Sequence, residues 1–120
     1  MREYPKLRAE LQQLALKLNQ EIPGPMSGFS SLHKAALADA ALSRKSKELI
    51  ALGIAIAAHC DGCIAYHVHD SIRAGASHQE IVEAIGVAIL MGGGPAMVYG
   101  CEGLAALEQF ESVPKQDSAN

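Results

Sequence analysis

The chain has 120 residues, 49 % of them apolar, with two Phe, three Tyr and no Trp. This is room for one ordinary domain whose modest core is built from small and aliphatic side chains, which suits helices packed on helices. A formal charge of -3 and a pI near 5.9, with basic residues scattered among acidic ones, argue against nucleic acid or an anionic membrane as the main partner.

The N-terminal stretch "MREYPKLRAELQQLALKLNQ" carries charges throughout and so has no uninterrupted apolar region of the secretory kind. Within it Leu7, Leu11, Leu14 and Leu18 recur at spacings of three and four, which predicts an amphipathic helix from Glu3 to Gln20. "EIPGPMSG", Glu21 to Gly28, holds two prolines and two glycines and reads as a loop. Phe29, Leu32, Ala35, Ala36 and Leu37 then suggest a short second helix ending near Asp39.

Ser43 or a neighbour caps a third helix through "KELIALGIAIAAHC", apolar on nearly all sides after Leu49 and therefore expected in the core. Its apolar run, Leu49 to Ala58, falls well short of the roughly 20 residues of a membrane span, so a soluble cytoplasmic protein is expected. Asp61 and Gly62 break or bend the chain, and a fourth helix follows from about Gly62 to Ala74 with Gly75 as its C-cap. Ser77 and Glu80 have capping-box spacing and open a fifth helix through Met91. "GGGP", Gly92 to Pro95, is the next breaker, and a sixth helix runs to about Phe110. The pattern is all-α, with about six helices in a single domain 1–120, a core over about 29–108 and a frayed tail at 112–120.

Cys60 and Cys63 are three positions apart, and the third cysteine, Cys101, is distant. An odd number with this spacing is unlike a secreted disulfide scaffold; in a reducing compartment C-x-x-C points to redox chemistry or metal binding. Cys63 lies in the first turn of the fourth helix, where free backbone N–H groups and the helix dipole favour a thiolate. His67, four residues on, stacks on the same face. If the third and fourth helices form a hairpin turning near His59 to Asp61, Glu48 reaches the level of His67, directly or through one water.

Glu48, eleven residues, Cys60, two residues, Cys63, three residues, His67: this pattern resembles the alkylhydroperoxidase AhpD-like, carboxymuconolactone decarboxylase superfamily. The likeness extends from Lys47 to Gly100, nearly the whole of that family's core, and "LHKAAL" before it fits too. The resemblance implies an AhpD-like helical fold, with the C-x-x-C on a helical hairpin, that assembles into trimers or hexamers. It further implies that Cys60 and Cys63 form a thiol/disulfide pair that reduces hydroperoxides, with Glu48 and His67 relaying protons toward Cys63. No tightly bound cofactor or metal is implied; an external dithiol such as a dihydrolipoyl group, or a redox partner protein, restores the pair. The peroxidase branch often has His before the second cysteine, where this chain has Gly62. The decarboxylase branch does not rely on a cysteine pair, so the pair favours redox chemistry. Alternatives are a protein disulfide reductase, a lactone decarboxylase-like enzyme, and a non-enzymatic metal- or thiol-binding oligomer.

Structural zinc lacks a second C-x-x-C among the remaining candidates Cys101, His59 and His69. Covalent haem would need His where Ile64 stands. His33, His59, His69 and His78 read as surface or packing residues and Cys101 as a buried small one. "GGGP" lacks the strand and Lys-Ser/Thr of a phosphate loop, and close helix packing or a chain crossing at an oligomer interface explains it better.

Overall fold

Six helices follow one another in a computed structural model that describes residues 1–113: α1 Tyr4–Glu21, α2 Pro23–Leu37, α3 Arg44–Ala57, α4 Asp61–Arg73, α5 His78–Gly92 and α6 Gly94–Ser112. The described residues contain no strand, as the pattern required. The expected frayed tail lies almost wholly outside the described residues, and its first residue, Ser112, is the last of α6.

Local chemistry accounts for most of the boundaries. Ser43 caps α3 by accepting from the Ser46 N–H, and Ser77 caps α5 in a full capping box with Glu80. The expected loop at Glu21–Gly28 is a correction: α2 already begins at Pro23. Pro23 and Pro25 fall in its first turn, where backbone N–H groups have no partner within the helix, so a missing donor costs nothing there.

The core is formed by α3, α4, α5 and α6 around Leu52, Ile56, Ile64, Val68, Ile81 and Leu107, all fully buried. It reaches past the 29–108 span, because Tyr4 is buried at one end and Phe110 at the other. The Tyr4 N–H donates to Gln109 Oε1 at 2.7 Å and its hydroxyl to Glu102 Oε1 at 2.5 Å. Burial first, and then Glu102, push the Tyr4 phenol up, so it stays a donor.

Two periodicities overstate burial. Leu14 and Leu18 on α1 are 57 % and 47 % exposed, and Ile50 and Ile54 on α3 are 51 % and 63 % exposed. α3 is therefore buried on one side only, and its other side, with Val87 and Met91 of α5, forms an open apolar face. The α3–α4 hairpin expected from the sequence is present, joined by Ala58–Cys60, and it carries the site.

Candidate redox site

Cys60 is the N-cap of α4: its backbone is extended, and its sulfur accepts the N–H of Cys63 at 3.2 Å. The two cysteines are joined as a disulfide across the start of the helix, with Cα atoms 5.2 Å apart. That separation sits inside the ordinary range for a disulfide, so the backbone is already shaped for the bond. Cys63 occupies the first turn, where the dipole stabilises negative charge on sulfur once the bond is reduced.

One turn further, His67 Nδ1 lies 2.8 Å from Glu48 Oε1. Glu48 has no exposed surface, and its second oxygen is buried without a hydrogen bond, with Arg44 Nε at 3.7 Å one turn earlier on α3. A carboxylate partner makes Nδ1 the donor and leaves Nε2 as the basic nitrogen. Glu48 thus fixes the tautomer and orientation of His67. The sulfurs and the imidazole share a pocket of about 270 Å³ whose other walls are Ala51, Ile54, Ala55 and Ala58. All four residues named from the sequence, Glu48, Cys60, Cys63 and His67, come together here.

The two residues between the cysteines are held from behind by α1 and the residues that lead into it. Arg2 pairs with Asp61 at 3.0 Å, and Arg8 lies 5.7 Å over the ring of Tyr66. A Cβ placed on Gly62 would meet Leu11 Cδ1 at 2.9 Å. Gly62 is therefore where the end of the Leu11 side chain of α1 lies over the C-x-x-C, a contact that a turn of the Leu11 side chain would relieve.

Other residues sort as follows. His69 is buried, bonds Asp70 through Nδ1 at 2.8 Å and meets Phe110 edge-on, a packing role as expected. Burial pushes the Asp70 carboxyl up, but the bond from His69, with the charges of His69, Arg8 and His67, outweighs it and holds the group below the usual carboxylate range. His78 pairs with Glu111 on the surface. Cys101 corrects the expectation of a buried cysteine: it is exposed, 3.9 Å from Met97 sulfur. His33 of α2 places its ring 6.3 Å from that of His67, a neighbour the sequence did not announce because α2 has no fixed register to α4 in the pattern. Glu48, His67 and Asp70 each offer a ligand atom within 4.8 Å of the others. These groups are already engaged, Glu48 with His67 and Asp70 with His69.

Fold and site together define an all-helical protein with a vicinal cysteine pair set beside a buried carboxylate–histidine dyad. Residues 23–106 match the carboxymuconolactone decarboxylase family, and the chain belongs to it. It is 38 % identical over 95 residues to an uncharacterised protein of Cupriavidus necator, covering 79 % of this chain and 84 % of that one. It is 39 % identical over 83 residues to an uncharacterised protein of the cox locus of Paracoccus denitrificans, covering 69 % and 75 %. The crystal structure of the apo form of a carboxymuconolactone decarboxylase family protein from Legionella pneumophila superposes with a TM-score of 0.88 at 39 % identity, over 91 % of this chain and 97 % of that one. A Thermotoga maritima member of the family, a candidate participant in an antioxidative response, superposes at 0.79 with 27 % identity, over 91 % and 96 %. No helix among the described residues is long and apolar enough to cross a membrane.

Proposed function

We propose that the protein is a thiol-dependent peroxidase that reduces organic hydroperoxides in the cytoplasm. The observation that carries this reading is the meeting of the Cys60–Cys63 pair and His67 in one apolar-walled pocket, with the buried Glu48 bonded to His67 from behind. In the reduced protein, His67 takes the proton of Cys63 and Glu48 stabilises the resulting imidazolium. The Cys63 thiolate attacks the O–O bond; the leaving alkoxide takes a proton to become the alcohol, and Cys63 is left as a sulfenic acid. The Cys60 thiol displaces water from that sulfur and closes the disulfide. An external dithiol, a dihydrolipoyl group or a redox partner protein, returns the pair to two thiols and is itself oxidised. No bound metal or cofactor takes part. The likeness to the Thermotoga protein supports an antioxidant role.

The exposed apolar face of α3 and α5, with a groove of about 400 Å³ lined by Ile50, Ile54, Val87 and Met91, supports assembly with further copies of the chain, and the trimer or hexamer is what the family resemblance implies. Ile54 also lines the site pocket, so such assembly reaches the edge of the site.

The reduced protein should be mixed with one equivalent of cumene hydroperoxide, thiol-blocked and mapped by mass spectrometry, beside Cys60→Ser and Cys63→Ser. Rapid formation of the Cys60–Cys63 disulfide in the wild type, with a sulfenic acid on Cys63 in Cys60→Ser, is expected. Thiols that stay reduced with peroxide yet exchange quickly with a disulfide-bonded protein would move the assignment to a disulfide reductase.

A further inference from the structure

α3 and α4 end in the same way. At the end of α4, Gly75 N–H bonds Ile72 O at 3.0 Å and Ala76 N–H bonds Ser71 O at 2.9 Å, with Gly75 at φ 95°. At the end of α3, His59 N–H bonds Ile56 O at 3.2 Å and Cys60 N–H bonds Ala55 O at 3.0 Å, with His59 at φ 59°. Both are the paired-bond termination that demands a left-handed residue, and glycine is the residue that enters that region without a Cβ penalty. One end uses glycine. The other, directly before Cys60, uses histidine, the one residue with a side chain at positive φ among those described.

A side chain held in this region persists only where its surroundings compensate, and such positions gather at functional sites. The compensation is visible: the His59 imidazole lies flat on the Tyr99 ring of α6, centroids 4.6 Å apart and planes 5° from parallel. Tyr99 itself packs against the core. The turn that presents Cys60 is thereby fastened to a third helix, while Ala58 on its other side lines the site pocket.

We propose that His59 is a positioning residue that, through its stack on Tyr99, holds Cys60 against the start of α4 and so sets the thiol/disulfide equilibrium of the pair. A fastened turn keeps the reduced Cys60 sulfur close to Cys63, which raises the effective concentration of one thiol at the other and favours the closed disulfide. Freeing the turn gives the dithiol more conformations and makes the disulfide easier to reduce. This inference rests on the pair being redox-active, and it involves no hydroperoxide.

The experiment equilibrates the full chain in dithiothreitol redox buffers and measures the dithiol fraction by alkylation and mass. His59→Gly keeps the left-handed turn and removes the stack, so a shift of about tenfold toward the dithiol is expected, about 30 mV. Tyr99→Leu should shift it in the same direction, and the double variant no further than the larger single effect. Tyr99→Phe, which keeps a ring, should stay within twofold of the wild type. Equilibria within twofold of wild type for both His59→Gly and Tyr99→Leu would overturn the proposal, even if melting temperatures fall, because the stack would then be only structural. A wild-type pair that does not interconvert in any buffer would remove the redox reading itself, and with it this one.

Discussion

Replacing Glu48 with Gln tests the relay with the smallest change in shape. Glu48 Oε1 meets His67 Nδ1 at 2.8 Å, and the carboxylate has no contact with solvent. A hydrogen bond to an ionised partner stabilises by about 1.5–3 kcal/mol, against about 0.5–1.5 kcal/mol for a neutral one. The variant therefore loses roughly 1–2 kcal/mol at the moment His67 carries the extra proton, which is roughly a 5- to 30-fold slower reaction of Cys63. His67→Ala removes the base altogether and should cost about 10²–10⁴-fold. Stopped-flow oxidation of the reduced protein by cumene hydroperoxide, in the linear range of peroxide concentration, reads both rates. The buried second oxygen brings a side effect: a Gln amide turned toward Arg44 faces another donor, so the melting temperature should fall as well. Rates are therefore compared well below either transition. An Oε1-to-Nδ1 contact that matters only for packing would leave Glu48→Gln within threefold of wild type while it still melted early, and that result would refute the relay.

Gly62→His should destabilise by no more than about 1 kcal/mol, because its Cβ meets only the movable end of the Leu11 side chain; adding Leu11→Ala should recover part of the loss in a urea titration. A lack of recovery would mean that the clash lies elsewhere. Asp70 has a carboxyl held below its ordinary value, so it contributes stability that is present above the unfolded-state value near pH 4 and is lost as pH falls through the folded one. Asp70→Asn should thus be less stable than wild type at pH 7, with the difference shrinking below about pH 4 in parallel thermal melts. Tyr4→Phe leaves Glu102 without its phenol donor and should cost roughly 1.5–3 kcal/mol by chemical denaturation; an unchanged midpoint would show that water replaces the bond freely.

Much of this was legible in the chain. Helix starts at Ser43 and Ser77, the stop at Gly75 and the grouping of Glu48, Cys60, Cys63 and His67 depend on interactions within a turn or two, or on one hairpin whose arm lengths follow from helical rise. The same locality explains the misreading of Pro23 and Pro25, since a proline signals a break inside a helix and a start at its first turn, and composition does not separate the two. What the sequence could not supply is every contact between elements far apart in the chain. That Leu11 closes on Gly62, that Arg2 holds Asp61, that His33 lies beside His67 and that Tyr99 underlies His59 depend on how α1, α2 and α6 dock on the hairpin. Periodicity likewise shows which side chains share a face but not whether that face is covered, which is why Ile50 and Ile54 read as core and stand exposed. Local hydrogen-bonding rules wrote the hairpin and its four chemical groups into the sequence; long-range packing decided what grips them.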